Sequence, residues 1–248
     1  MEQVNIEAHG AVALLRLANG VTNAIGPGMV GDLSEALQTV QSNYRAIVLA
    51  GGDKFFSMGF DLPKLLKLDK NEFAVFFDRF NAAALALYTL PMPTFCAMAG
   101  HAIAGGTILA LTCDFRYAVS EKKMMGLNEV KLGVPVPYLA DLMLRQIVGD
   151  RKATPMLFEG EFLSLAEAHR MGLVDETTSR EALEEQVLSR ASGLAAKPPL
   201  AFAETKASRT KTIHDRYEQH GKSRNKAFLK CWFSPEGRAL LSKAAEKF

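Results

Sequence analysis

The chain has 248 residues, of which 48% are hydrophobic and 23% charged, and its formal net charge is +2. This composition is ordinary for a globular protein, and the length is sufficient for one substantial hydrophobic core. The small net charge, with no dense block of Lys and Arg among aromatic residues, argues against a nucleic-acid partner. No apolar stretch reaches the ~18 residues that a membrane-spanning helix needs, so no membrane association is expected.

Strand and helix patterns alternate through the first half of the chain. Strands are predicted at residues 4–6, 12–17, 46–50, 94–98 and 115–119, and helices at residues 27–40, 72–88 and 105–112. From residue 137 onward helical patterns dominate, at 139–148, 153–158, 165–171 and 182–195, and a polar, amphipathic tail follows. This order predicts an α/β core over residues 1–196 with a helical C-terminal extension over residues 197–248.

The cysteines and the N-terminal segment indicate a compartment. Cys96, Cys113 and Cys231 are widely spaced and odd in number, which predicts reduced thiols, and the apolar runs around Cys96 and Cys113 predict that both are buried. The N-terminal segment is acidic and strand-like, without the pattern of a signal or transit peptide. We therefore expect a cytoplasmic protein. The histidines have no spacing typical of a metal site, and we expect no metal.

Two glycine-containing turns, at residues 51–62 and 100–108, each follow a predicted strand and precede a predicted helix. At such junctions the unpaired backbone N–H groups of the helix N-terminus point outward, and glycine lets a ligand approach closely. The second turn resembles a phosphate-binding loop, but glycine occupies position 106, where that motif requires lysine. Either turn by itself is better explained as a tight connection in an α/β fold, whereas two such turns with Glu129 downstream favour a site.

Glu129 is a lone carboxylate downstream of both turns, in the segment Gly-Leu-Asn-Glu at residues 126–129. Neither turn places an acid or base where it would partner Glu129. This pattern suggests a reaction in which one base moves a proton while backbone N–H groups stabilise negative charge. The local sequence leaves open that Glu129 caps a helix or pairs with Lys131. Asp61 is most simply interpreted as the cap of the following helix, and His101 lies inside the second turn.

Residues 56–62, Phe-Ser-Met-Gly-Phe-Asp-Leu, resemble the Phe-Ser-x-Gly-x-Asp-Leu segment of the crotonase (enoyl-CoA hydratase/isomerase) superfamily. Residues 99–106 and 110–116 are similar to the second oxyanion segment of that superfamily, and the likeness covers roughly residues 4–180. The resemblance implies a crotonase-like spiral core of ββα repeats and a helical tail that covers the site. It also implies an acyl-CoA thioester substrate, no cofactor apart from the coenzyme A of that substrate, and assembly into homotrimers or pairs of trimers.

The same resemblance implies roles for individual residues. The backbone N–H groups of Met58 and Gly105 would form the oxyanion hole, and Glu129 would be the catalytic base. Asn128 would line the acyl pocket beside Glu129. The residues implied to frame the pantetheine and adenine of coenzyme A are Phe56, Gly59, Phe60, Asp61 and Leu62.

Ile108 marks a departure from the hydratases of this superfamily. The resemblance implies that those hydratases carry a glutamate at the position of Ile108. Residues 126–141 are more similar to the Δ3,Δ2-enoyl-CoA isomerases, which also carry an apolar residue there. Moving a double bond from C3 to C2 needs one group that carries a proton from C2 to C4, whereas hydration needs a base and an acid. We therefore expect a Δ3,Δ2-enoyl-CoA isomerase. The alternatives are hydration with Asp141 as the acid, another acyl-CoA reaction, or a catalytically silent acyl-CoA-binding protein.

Overall fold

Two β-sheets form the centre of the computed structural model, which describes residues 1–246. The larger sheet consists, in spatial order, of β1 (Val4–His9), β2 (Val12–Leu17), β3 (Ala46–Ala50), β5 (Thr94–Met98), β7 (Phe115–Val119) and β10 (Glu176–Thr178). The smaller sheet consists of β4 (Phe55–Ser57), β6 (His101–Ile103), β8 (Met124–Gly126) and β9 (Leu163–Ser164). The β1–β2 and β8–β9 pairs are antiparallel, and the other pairs are parallel.

Helices connect the strands and make up most of the chain after β8. They are α1 (Pro27–Asn43), α2 (Leu62–Leu65), α3 (Lys70–Tyr88), α4 (Gly105–Thr112), α5 (Tyr138–Val148), α6 (Asp150–Glu159), α7 (Leu165–Met171), α8 (Arg180–Ala195), α9 (Pro199–Trp232) and α10 (Pro235–Ala245). A 3-10 turn spans Glu129–Leu132. Within residues 1–246, none of the helices combines the length and apolar character that crossing a bilayer requires.

A ββα unit recurs along the chain. In each unit a strand of the larger sheet is followed by a three-residue strand of the smaller sheet and then by helical structure, first with β3 and β4, then with β5 and β6, then with β7 and β8. Strands β3 and β5 are buried along their whole length because both of their faces are covered, as is usual for parallel strands. The predicted α/β fold with a spiral ββα core and a helical C-terminal portion is confirmed.

The short strands of the smaller sheet were not predicted. Strands β4 and β6 lie inside the two glycine-containing turns, which follow β3 and β5 and precede α2 and α4 as predicted. A three-residue strand is too short to show an alternating pattern. The region after residue 137 also contains β9 and β10, where only helices were expected.

A buried ion pair attaches α9 to the larger sheet. Nζ of Lys206 lies 2.8 Å from Oδ2 of Asp114, at the start of β7, and only 3% of the Lys206 side chain is exposed. The same oxygen of Asp114 accepts hydrogen bonds from the N–H and the hydroxyl of Thr94. Burial lowers the pKa of Lys206, and the Asp114 carboxylate opposes this effect. The pair therefore fixes the C-terminal helices against the core, and the buried charge of Lys206 depends on the carboxylate of Asp114.

Asp114→Asn keeps an oxygen acceptor for Thr94 but removes the negative charge beside Lys206. We expect this change to lower the free energy of unfolding by about 3–5 kcal/mol, because it leaves a buried charge uncompensated. Lys206→Met removes the buried positive charge and keeps an apolar side chain, so it should lower the free energy of unfolding by less. The double variant should be more stable than Asp114→Asn alone. Urea unfolding of the three variants measures this order. A loss below ~1 kcal/mol for Asp114→Asn would contradict it.

Candidate active site

A cavity of about 480 Å³ is bounded by the smaller sheet, the start of α4, the 3-10 turn at Glu129–Leu132, and helices α9 and α10. Its walls are mostly apolar. The predicted site residues that line it are Met58, Phe60, Leu62, Gly105, Ile108, Asn128 and Glu129. The ββα repeats thus bring together residues that are far apart in the sequence, and the site lies where their second strands meet the C-terminal helices.

Glu129 is the first residue of the 3-10 turn, and its side chain is buried with 5% of the residue exposed. Its Oε2 has no hydrogen-bond partner within residues 1–246. Burial raises the pKa of Glu129 to about 8. Lys131, the partner that the sequence left open, instead pairs with Glu161 at the surface. The carboxyl group is therefore free to exchange a proton with a molecule in the cavity.

One other titratable side chain, that of His101, lines the cavity among the described residues. Its Nδ1 accepts a hydrogen bond from the N–H of Met124 at 3.0 Å, which places the proton of the neutral ring on Nε2. Burial, with smaller contributions from Lys123 and Lys54, lowers the pKa of His101. Asp141, the alternative acid, lines a different cavity and pairs with Arg145 at 3.1 Å. Glu129 therefore lies in this cavity without a second carboxylate among the described lining residues.

The two predicted oxyanion donors differ in their hydrogen bonds. Gly105 is the first residue of α4, and within residues 1–246 its N–H has no acceptor. The N–H of Met58 donates to the carbonyl of Thr22 at 2.9 Å. Both residues line the cavity, so the Gly105 N–H is available to a ligand as it stands. The Met58 N–H becomes available only if it shares or releases the Thr22 carbonyl.

Close backbone contact between the two glycine-containing turns determines this arrangement. A Cβ atom on Gly106 would lie 2.3 Å from the carbonyl oxygen of Ser57, so only glycine fits there. Gly59 has φ +89°, and a Cβ atom on it would lie 3.0 Å from the Gly105 nitrogen. Ala104, which precedes α4, has φ 47° and ψ −113°, a conformation that costs about 1–3 kcal/mol in a residue with a side chain. The strained backbone lies directly before the free N–H of Gly105.

The residues implied to bind substrate fall into two groups. Phe60, Leu62 and Asn128 line the cavity, and Oδ1 of Asn128 is buried without a hydrogen-bond partner within residues 1–246. Phe56 is fully buried in the core, and Gly59 contacts Gly105. The side chain of Asp61 accepts a hydrogen bond from the Lys64 N–H, which confirms its interpretation as a helix cap. Contacts of Phe56, Gly59 and Asp61 with coenzyme A stay predictions.

The wall opposite the smaller sheet was not identified from the sequence. It is made of apolar side chains from the connection before β9 and from helices α9 and α10, namely Phe162, Phe228, Trp232, Leu241 and Ala244. Phe228 and Trp232 are four residues apart and therefore lie on one face of α9. That spacing predicts a buried face, but the sequence does not distinguish a face that packs on the core from one that lines a cavity.

Comparisons with known proteins agree with this arrangement. The sequence model of the enoyl-CoA hydratase/isomerase family matches residues 7–240. Enoyl-CoA delta isomerase 1, mitochondrial, of Mus musculus is 31% identical over 198 residues, which is 78% of this chain and 67% of the mouse protein. A Bacillus subtilis (strain 168) protein named "Probable enoyl-CoA hydratase" is 28% identical over 254 aligned residues, 100% of this chain and 97% of that protein.

Solved structures show the same fold. The crystal structure of human mitochondrial delta3-delta2-enoyl-CoA isomerase superposes with a TM-score of 0.94 at 25% identity, covering 99% of this chain and 97% of the human chain. An enoyl-CoA hydratase from Bacillus halodurans superposes with a TM-score of 0.89 at 22% identity, covering 97% of this chain and 99% of the Bacillus halodurans chain. The fold is thus shared by proteins with isomerase names and with hydratase names, and the residues of the cavity must separate the two activities.

The raised pKa of Glu129 predicts how Glu129→Gln changes stability with pH. Below the ordinary pKa near 4.5, the carboxyl is protonated in both folded and unfolded chains, so it contributes no difference. Between that pKa and about 8, the unfolded chain loses a proton that the folded chain keeps, and the wild type is destabilised as pH rises. Glutamine avoids this loss. The free energy of unfolding of the variant should therefore exceed that of wild type by on the order of 4 kcal/mol at pH 8.5 and by little at pH 5.

Urea unfolding at the two pH values measures this gain. Glu161→Gln is the matched control, since Glu161 is 68% exposed and should show no comparable pH-dependent gain. Equal stability of Glu129→Gln and wild type at pH 8.5 would contradict a buried carboxyl with a raised pKa.

Proposed function

The chain belongs to the enoyl-CoA hydratase/isomerase family, and we propose that within this family it is a Δ3,Δ2-enoyl-CoA isomerase. The observation that carries the proposal is the single carboxyl of Glu129 in an apolar cavity whose other described lining residues include no second carboxylate. The substrate is an acyl-CoA thioester with a double bond between C3 and C4. Coenzyme A belongs to the substrate, and we propose no further cofactor. A homotrimer or a pair of trimers stays a prediction for this chain.

In the proposed reaction, Glu129 moves one proton between two carbons. The ionised carboxylate takes a proton from C2, and the electron pair of that C–H bond delocalises into the thioester carbonyl to give a dienolate. The protonated carboxyl then returns the proton to C4, which breaks the C3–C4 double bond and leaves one between C2 and C3. The substrate gains and loses no atoms. A base with a pKa of about 8 accepts and returns a proton more evenly than an exposed glutamate at neutral pH.

Backbone N–H groups stabilise the negative charge that develops on the thioester oxygen. The Gly105 N–H lies at the N-terminus of α4, where the helix dipole favours negative charge. Met58 supplies the second N–H when its hydrogen bond to the Thr22 carbonyl is shared or exchanged for one to the substrate. Each donor of this kind is typically worth ~10²–10³ in rate, because it is fixed before charge develops.

Ile108 favours isomerisation over hydration. Its side chain is buried, with 2% exposed, and lines the same cavity as Glu129. An aliphatic side chain neither orients water nor donates a proton, so position 108 supplies no second group for hydration. The likeness to the mouse and human isomerases supports the same activity. Because related proteins also carry hydratase names, the product must be identified directly.

Incubation of the purified protein with trans-3-hexenoyl-CoA tests the proposal, with the product analysed by chromatography and mass spectrometry. We expect a 2-enoyl product of unchanged mass. Glu129→Gln should lower the rate at least ~10²-fold, because the neutral amide is not a base, while binding of saturated hexanoyl-CoA is retained. Asp141→Asn is the control, since Asp141 lies in the other cavity, and its rate should match wild type.

Three results would contradict this account in different ways. A product heavier by one water would identify a hydratase. A large loss of rate in Asp141→Asn would identify a second acid. Equal rates in wild type and Glu129→Gln would exclude the single-base mechanism.

A further inference from the structure

A second cavity, of about 550 Å³, lies next to the candidate active site. It is bounded by α5, α6 and α9 together with the segment that precedes α5. Phe228 and Pro137 line both cavities. Only 3% of Phe228 is exposed, so its ring fills the space between the two cavities. We propose that Phe228 ends the acyl-chain site and thereby determines the longest acyl group that the enzyme accepts.

Aromatic packing holds Phe228 in this position. Its ring stacks on Phe77 with 4.2 Å between centroids and 16° between planes, and it also lies 6.0 Å from Trp232. Phe77 lines only the second cavity, whereas Trp232 lines only the first. A ring supported from both sides does not swing aside readily, because displacing it breaks close-packed contacts on each side. The partition therefore acts as a fixed end wall.

The second cavity is suited to a hydrocarbon chain once the wall is removed. The apolar side chains that line it together with Phe228 include Val136, Leu157 and Phe158. Charged and polar side chains also line this cavity: Asp141 pairs with Arg145, Asn225 donates to Asp78, and Arg224 lies 5.6 Å from the Tyr138 ring centroid. A longer linear acyl chain is thus the occupant that the cavity favours.

This inference rests on the proposed function, since it identifies the acyl-CoA chain as the occupant of the first cavity. Each methylene buried in an apolar site raises affinity about fourfold, which corresponds to ~0.8 kcal/mol. In the wild type this gain should stop at the chain length that reaches Phe228. In Phe228→Ala it should continue over further methylenes, because the chain enters the second cavity.

Binding of saturated acyl-CoA thioesters, from butanoyl-CoA to hexadecanoyl-CoA, tests the inference by calorimetry and needs no turnover. We expect the affinity of wild type to level off at a shorter chain than that of Phe228→Ala. Phe228→Leu is a milder variant that keeps an apolar side chain, and its limit should lie between the two. Its smaller disturbance of the aromatic packing keeps the test valid if the alanine variant does not fold.

Phe158→Ala supplies the matched control, because Phe158 lines only the second cavity and is 75% exposed. It should weaken binding of long chains in the Phe228→Ala background and have no effect on binding to the otherwise wild-type protein. The same limiting chain length in wild type and both Phe228 variants would overturn this inference alone. Failure of wild type to bind any of the thioesters would overturn the proposed function, and this inference with it.

Discussion

The burial of the Glu129 carboxyl without a nearby positive charge is the constraint on which the rest of the site depends. Desolvation is the largest contribution to its raised pKa, and no cation contributes to it among the described residues. A buried acid of this kind destabilises the folded chain above its ordinary pKa, so the surrounding core must compensate for it. Phe228, Trp232 and Leu241 of the C-terminal helices are part of that core, and they line the same cavity as Glu129. The apolar packing around Glu129 and its raised pKa therefore have the same physical origin.

The ββα repeat explains how the N–H of Gly105 comes to line the same cavity as that acid. Each repeat contributes a short strand to the smaller sheet, and the close approach of Gly106 to Ser57 brings the first two repeats into direct backbone contact. The chain then enters α4 through the strained conformation of Ala104. Strain at this point is consistent with a site whose geometry is imposed by the packing around it. The free N–H of Gly105 is thereby fixed before any substrate arrives.

Features that depend on local pattern could be predicted from the sequence. Strands 46–50, 94–98 and 115–119 and the helix at 165–171 were correct because continuous apolar runs and helical periodicity are visible over five or more residues. The resemblance in the two glycine-containing segments also identified the family correctly. The start of α3 was missed by two residues, although Asp69 and Glu72 form a capping box there.

Features that depend on tertiary contacts could not be predicted. The hydrogen bond from Met58 to Thr22 joins residues 36 positions apart through a loop without regular structure, so no sequence pattern signals it. The isolation of Glu129 from Lys131 likewise follows from the placement of Glu161. Phe228 and Trp232 resemble ordinary core residues of an amphipathic helix, and only the fold shows that they face a cavity.

In the proposed reaction one buried carboxyl carries the same proton from C2 to C4. It is tested most directly with 3-hexenoyl-CoA deuterated at C2, converted in ordinary water and analysed early in the reaction by NMR and mass spectrometry. Transfer by the buried Glu129 predicts that a substantial share of the 2-enoyl product carries deuterium at C4. A product in which the new hydrogen at C4 comes only from solvent, from the first turnovers onward, would contradict it.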